Sequence, residues 1–278
     1  MSASNVEGMR RHSARAGYYV SVHVMVSPQR WCIKRLCARA RDGIIRVDTG
    51  MEVASVKQYS CFDILGPIMI GPSSSHTAGA ARLGRVARVI SGSTPKKVTF
   101  YLHGSFAATH RGHGTDKALL AGVLGMLPDD ELLPCSFEEA QKLGVTYQLI
   151  PRDLGQDVHP NTVLIELESS GGEITRITGS STGAGKIRIV ALDGLPVDFS
   201  GDYHTLVTLH EDKPGVVAGV TQELARAGVN IAYMRVFRDQ RGKNACMVIE
   251  SDGSFPDDTR KRIETITGVR RAVVLEPV

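Results

Sequence analysis

Val98-Thr99-Phe100-Tyr101-Leu102-His103-Gly104-Ser105-Phe106-Ala107-Ala108-Thr109-His110-Arg111-Gly112-His113-Gly114-Thr115-Asp116 carries the reading of the central part of this 278-residue chain. Val98, Phe100 and Leu102 alternate with their neighbours, the period of a half-buried strand. Three of the nine histidines, His103, His110 and His113, then fall among Ser105, Thr109 and several glycines. Thr115 and Asp116 open a helix whose Ala118, Leu119, Ala121, Val123 and Met126 suit burial. A proton-exchanging cluster between the C-terminal end of a strand and a helix is where α/β layouts place ligand sites. The glycines let the backbone approach a ligand closely.

Upstream, Gly66-Pro67-Ile68-Met69-Ile70-Gly71-Pro72-Ser73-Ser74-Ser75-His76-Thr77-Ala78-Gly79 turns an apolar run into a helix with Leu83, Val86, Ala87 and Ile90 on one face. Free N–H groups at a helix start, together with hydroxyl donors, make a seat for a carboxylate or phosphate. His76 adds a side chain that exchanges protons near neutral pH. The same residues also describe an elaborate helix N-cap with one solvated histidine. Downstream, Thr162–Glu168, Glu173–Thr178 and Lys186–Ala191 are expected strands, the first two joined by the turn Ser169-Ser170-Gly171-Gly172. His159-Pro160-Asn161 is a restricted turn expected beside the same cleft. Together these elements predict an α+β domain over residues 58–198.

Gly194, Pro196 and Gly201 mark Asp193–Tyr203 as a domain boundary. Beyond it, over 203–278, strands are expected at Thr205–His210, Asn230–Arg238, Asn244–Glu250 and Val269–Leu275. Helices are expected at Gly215–Ala227 and Asp258–Ile266, and a hairpin turn at Arg241-Gly242. The order βαββαβ describes a ferredoxin-like sandwich.

Residues 1–57 show neither a sustained helical nor a strand period. Of the 33 basic and 29 acidic side chains, the first 50 residues hold eight arginines and Lys34 but only Glu7, Asp42 and Asp48. The main body is therefore slightly acidic, and no global field argues for nucleic acid. The basic segment is expected to be a disordered extension or to precede the true start at Met51; an organelle transit peptide is the other reading. No apolar stretch approaches the roughly 20 residues of a membrane span. Five scattered cysteines, Cys32, Cys37, Cys61, Cys135 and Cys246, argue against a disulfide framework and for a reducing cytoplasm.

Metal binding by this chain is not expected. His103, His110 and His113 lack the spacing of a zinc helix, and no cysteine pair joins them. Arg82, Arg85 and Arg88 recur every three residues and suit a solvated helix face.

The run Phe62-Asp63-Ile64-Leu65-Gly66-Pro67-Ile68-Met69-Ile70-Gly71-Pro72-Ser73-Ser74-Ser75-His76-Thr77 resembles the opening of iron–sulfur-dependent L-serine dehydratase β chains. The His-Gly-Ser and Gly-His-Gly-Thr-Asp elements and His159-Pro160-Asn161 fit that family in order and spacing, over most of residues 59–278. Glu211-Asp212-Lys213-Pro214-Gly215-Val216-Val217 with Gly228-Val229-Asn230-Ile231 resembles an ACT domain. The resemblance implies a mixed α/β β-chain domain of the allosteric-substrate-binding type followed by a ferredoxin-like ACT domain. It implies β-elimination of L-serine to pyruvate and ammonia, with a 4Fe-4S cluster held by cysteines of a separate α chain.

By the same resemblance His76, Ser105 and His103 are the expected catalytic residues, with His76 transferring the proton. Ser73, Ser74, Ser75, Thr77, Thr109, His113 and Asn161 are expected to bind substrate. Pro214, Gly215, Val216 and Asn230 are expected to bind an amino-acid effector, and the ACT domain to pair β chains as a homodimer. The competing reading is a non-catalytic regulatory protein that senses an amino acid, since related allosteric domains occur in phosphoglycerate dehydrogenases.

Overall fold

The computed structural model describes residues 67–278 throughout, and before them only the backbone of three strands. It divides into two compact units, Met1–Tyr59 and Ser60–Val278. In the first, β1 (Tyr18–Ser27), β2 (Arg30–Arg41) and β3 (Ile44–Val47) form an antiparallel sheet in that order, with Val22 opposite Lys34. The expected lack of a strand period is corrected there. Val20, Val22, Val24 and Val26 do alternate with other residue types, and the arginine-rich composition around them hides it. The expectations of a disordered extension or a later start fall elsewhere on residues outside the described ones, as do Phe62–Gly66 and Cys61.

The second unit begins with a single π-helical turn, Ser74–Ala78, continued by α1 (Gly79–Ser91). The expected face is buried: Leu83, Val86, Ala87 and Ile90 are at most 1% exposed. β4 (Lys97–Leu102) follows, then α2 (Gly104–Thr109), α3 (Thr115–Leu124), α4 (Ser136–Lys142) and β5 (Thr146–Pro151). β5 lies parallel to β4 because the three helices carry the chain back across the sheet. An antiparallel meander of β6 (Thr162–Glu168), β7 (Ile174–Gly183), β8 (Lys186–Leu192) and β9 (Leu195–Phe199) completes a six-stranded sheet, order β5-β4-β6-β7-β8-β9. β4 is more than half buried, since Thr99 is covered as well as Val98, Phe100 and Leu102, while Lys97 and Tyr101 are partly exposed. Its central position, paired on both sides, explains this.

α1 and α3 touch at backbone level. A Cβ at Gly122 would lie 2.0 Å from the Ala81 carbonyl oxygen, and one at Gly84 would lie 2.3 Å from that of Leu119. Small residues on both helices permit an approach that side chains would prevent.

The C-terminal part holds β10 (His204–Glu211), α5 (Val216–Arg226), β11 (Tyr233–Arg238), β12 (Asn244–Ser251), α6 (Thr259–Glu264) and β13 (Val269–Leu275). The antiparallel sheet has the order β11-β12-β10-β13, as expected of the ferredoxin-like sandwich. Leu206, Met247, Ile249 and Ala272 pack with Val220 and Leu224 of α5 and Ile263 of α6. Val207, Cys246, Val248 and Leu275 instead join the core of the preceding domain, beside residues such as Ile90, Leu195 and Phe199. The two-residue period of a strand makes this double use possible. Arg271 reinforces the junction by donating from Nη2 to the Ile90 carbonyl at the end of α1. Arg235 does the same by pairing with Asp198 of β9 at 3.0 Å. The link expected as a boundary, Asp193–Tyr203, thus contains an edge strand packed into this shared core.

Candidate functional site

Ser73 sits in extended conformation at φ −145° and caps the π-helical turn. Its Oγ accepts from the His76 N–H at 3.2 Å, and its carbonyl accepts from Thr77 N–H at 2.8 Å. Gly71 precedes it with φ +147°, and a Cβ there would fall 2.4 Å from Thr77 Cγ2, so only glycine fits. The wide turn faces His76 inward, leaving it 8% exposed.

Both nitrogens of that imidazole have hydroxyl partners. His76 Nδ1 lies 3.1 Å from Ser75 Oγ, and Nε2 lies 3.1 Å from Ser105 Oγ. A hydroxyl both donates and accepts, so either neutral tautomer is satisfied and a proton gained at one nitrogen is easily accommodated. Phe106 and His113 meet the ring edge-on, with centroids 5.3 and 4.9 Å away. Burial first, and the neighbouring His113 second, hold the His76 pKa below the usual histidine value. The ring is neutral near pH 7 and available as a base.

Ser105 reaches His76 from the first turn of α2, and that helix is held in turn by the His159-Pro160-Asn161 segment. Ser105 N–H donates to the Pro160 carbonyl at 2.9 Å. Gly104 has φ +53°, and a Cβ there would lie 2.7 Å from the same carbonyl oxygen. Asn161 N–H donates to His159 Nδ1 at 3.1 Å, while its carbonyl accepts from Ser181 N–H at 2.9 Å. The turn thus borders the cluster, as its restricted sequence suggests.

The other expected residues divide into those beside His76 and those holding it in place. Ser74 and Ser75 are half-buried in the turn itself. Thr77 is buried and donates from Oγ1 to the His113 carbonyl at 3.0 Å, tying the turn to the loop before α3. Thr109 spends its hydroxyl on the Ser105 carbonyl, 2.8 Å away within α2. His103 makes no hydrogen bond to His76 or Ser105. Its Nδ1 accepts from Leu154 N–H at 3.1 Å, which places the ring proton on Nε2. The nearby Asp153 carboxylate, 3.5 Å from the same Nδ1, therefore receives no proton from it.

α3 opens at Thr115 and Asp116 as expected, but Gly114, with φ +71°, is the cap, and the fully buried Thr115 hydroxyl has no partner among the described residues. Two further residues escape sequence reasoning. Ser181 is completely buried, and its Oγ has no partner among the described residues, against a spot where a Cβ on Gly79 would come within 2.1 Å of it. Ser180 shares a 2.6 Å hydrogen bond with Thr162. Only the hydroxyl-rich run Thr178-Gly179-Ser180-Ser181-Thr182 hints at them.

In the C-terminal unit Gly215 has φ +94° and caps α5, whose first residue, Val216, is buried. Pro214, Gly215 and Asn230 are exposed, and the Asn230 carbonyl accepts from Ser251 Oγ at 2.9 Å. Asp212 is occupied by the Gly242 N–H at 2.9 Å, which with Arg238 holds its carboxyl below the usual carboxylate range. The expected loop and helix start are therefore formed and open to solvent.

Among the described residues no group of three or more His, Cys, Asp or Glu is placed to hold a metal ion. Cys135 is exposed ahead of α4, and Cys246 is buried in β12 with burial pushing its thiol up to about 12. Described side chains do not fit an iron–sulfur cluster, and the chemistry available here is proton transfer and hydrogen bonding. No helix among the described residues is long and apolar enough to cross a membrane.

Two family models match, the serine dehydratase beta chain over residues 60–143 and the ACT domain over 204–266. The chain is 43% identical over 202 residues to the probable L-serine dehydratase beta chain of Bacillus subtilis, covering 73% of this chain and 91% of that one. It is 38% identical over 213 residues to the L-serine dehydratase beta chain of Peptoniphilus asaccharolyticus, covering 77% and 95%. A D-3-phosphoglycerate dehydrogenase of Synechocystis is 26% identical over 202 residues, 71% of this chain but 35% of that enzyme. Similarity at this level over nearly the whole length of two β chains decides the matter: the chain belongs to the L-serine dehydratase β-chain family.

Proposed function

We propose that this protein is the β subunit of an L-serine dehydratase, acting with a separate α chain to convert L-serine to pyruvate and ammonia. The observation that carries the reading is His76, buried, neutral and held between the hydroxyls of Ser75 and Ser105 from two different elements. His76 takes the α-proton of serine. The Cα–Cβ double bond forms as the β-hydroxyl leaves, and the proton held on His76 converts the departing hydroxide to water. The resulting aminoacrylate tautomerises to an imine and hydrolyses to pyruvate and ammonia. Ser73, Ser74 and the first N–H groups of the turn orient the carboxylate, as helix starts favour anions.

The iron–sulfur cluster is assigned to the α chain, because the described cysteines form no ligand set. A cytoplasmic setting, pairing of β chains through the ACT domain, and an amino-acid effector at Pro214, Gly215, Val216 and Asn230 complete the proposal.

The test co-expresses this chain with a candidate α chain, supplies iron and sulfide anaerobically and assays pyruvate from L-serine. Activity only in the pair, and lost in a His76→Ala pair that still assembles, is the expected result. Near-full activity in that variant refutes the base assignment. Failure of any α chain to bind or to yield pyruvate refutes the subunit reading.

A further inference from the structure

A cavity of about 490 Å³ opens where the C-terminal sheet meets the turn between β8 and β9. Neither the residues around His76 nor the Pro214–Val216 loop line it. His210, at the end of β10, does line it and is only 2% exposed. Its Nδ1 faces the Thr208 carbonyl at 3.5 Å, a long contact, and Nε2 has no hydrogen-bond partner among the described residues. Burial holds the ring neutral near pH 7. The unpaired Nε2 beside an open cavity offers a hydrogen-bonding position to an occupant. With the proton on Nδ1, toward Thr208, the free Nε2 accepts a hydrogen bond.

The rest of the lining supplies both signs of charge. Arg270 donates from Nη1 to Asn244 Oδ1 at 2.7 Å and turns Nη2 toward the Glu211 carboxylate at 3.7 Å, leaving its other N–H groups as donors. Arg271 commits one guanidinium nitrogen to the Ile90 carbonyl and keeps the others. Opposed to this pair in sign are two carboxylates, Asp193 and Asp239. Asp193 has one oxygen engaged by the Arg176 N–H at 2.7 Å, and Asp239 forms no ion pair among the described residues. A simple anion is attracted by the arginines but repelled by the carboxylates, and a simple cation meets the reverse. A zwitterion satisfies both sets, with its ammonium also able to donate to His210 Nε2.

We propose that this junction cavity is a further amino-acid site, binding a free α-amino acid by its carboxylate at Arg270 and Arg271 and by its ammonium at Asp239 and His210. The site is independent of the loop around Gly215, and a ligand in it touches Arg271, the residue that links the C-terminal sheet to the end of α1.

The test titrates the full chain with each common L-α-amino acid by calorimetry and follows the His210 ring nitrogens by NMR. At least one amino acid is expected to bind and to move the Nε2 resonance. Arg270→Glu, at an exposed position that leaves folding intact, weakens it about tenfold or more, the effect of losing one charged hydrogen bond. Asn230→Ala leaves it unchanged, and pyruvate and ethylamine, each carrying half of the zwitterion, bind about tenfold weaker or less well still. The proposal is overturned if no amino acid moves the His210 resonance, or if binding survives Arg270→Glu but is lost in Asn230→Ala. Equal binding of pyruvate and L-alanine overturns the ligand class.

Discussion

Replacing Gly122 by alanine sets two opposing effects against each other, and the geometry decides between them. Alanine is the better helix former by about 1 kcal/mol. Its Cβ, however, would stand 2.0 Å from the Ala81 carbonyl oxygen and 2.8 Å from the Arg85 nitrogen. Both are backbone atoms of α1, so no side chain can swing aside and the helices must separate by more than 1 Å (~1 Å or above, from ordinary contact distances). Overpacking of this kind costs about 1–3 kcal/mol, and a backbone clash belongs at the upper end. Net of helix propensity, the loss is about 2 kcal/mol, or roughly 4–8 °C in Tm for a unit of this size. Thermal unfolding followed by circular dichroism measures it. Gly112→Ala is the control, because its nearest contact is the Thr109 carbonyl oxygen at 3.8 Å and its change should stay within about 0.5 kcal/mol. Separation would also stretch the Thr77–His113 hydrogen bond that ties the two helix starts together. A Gly122→Ala protein as stable as the parent, or more so, would mean that helix propensity wins. The crossing of α1 and α3 would then not be what locates His76.

Ser105→Ala removes the hydroxyl at His76 Nε2 and is expected to lower kcat of the assembled enzyme about tenfold or more with little change in fold, by loss of one hydrogen bond to a group that becomes charged. For His76 the folded pKa is depressed below the unfolded value of about 6.5, so the unfolded chain binds more protons at mildly acid pH. Stability should therefore fall as pH drops from about 6.5 toward the folded pKa, and urea midpoints of His76→Gln should fall less steeply over that window than those of the parent. Gly104→Ala combines φ +53° with a 2.7 Å approach to the Pro160 carbonyl oxygen; a loss of about 1–3 kcal/mol is expected in chemical denaturation, with kcat reduced because Ser105 moves with the turn. Arg271→Met, which keeps most of the aliphatic stem but removes the donor to the Ile90 carbonyl, should lower stability by about 1 kcal/mol in the same assay.

What the sequence makes legible follows from how local each signal is. The apolar face of α1, the strand through Phe100 and the βαββαβ order are periodicities within a few residues, and the structure has all three. His76 is visible because three serines and a histidine at a helix start are chemically unusual. Its pairing with Ser105, 29 residues later, depends on two helix starts being brought together, which no local pattern encodes. His103 belongs to the most conspicuous histidine cluster, yet no local pattern shows that its Nδ1 accepts from the Leu154 N–H, 51 residues later.

The Asp193–Tyr203 link is the most instructive difference, because its glycines and proline do mark turns while the segment between them is a strand. Turn residues report where the backbone bends, not whether the flanking surfaces part. Here they do not: Val207, Val248 and Leu275 of the C-terminal sheet are buried in the same core as Ile90 and Phe199. An antiparallel sheet can leave one face to water, but the second face here carries Val207, Cys246, Val248 and Leu275, and the preceding domain covers it. One consequence concerns α1, which begins at the turn holding His76 and ends at a carbonyl capped by Arg271 from β13. Gly268, immediately before β13, accepts from the Glu211 N–H at 2.8 Å, at the start of the Glu211–Val216 loop. A helix with one end in the candidate active site and the other held by the strand beside the proposed effector loop is a physical link between the two. Two flexibly tethered domains would have no such link, and the shared core is what provides it.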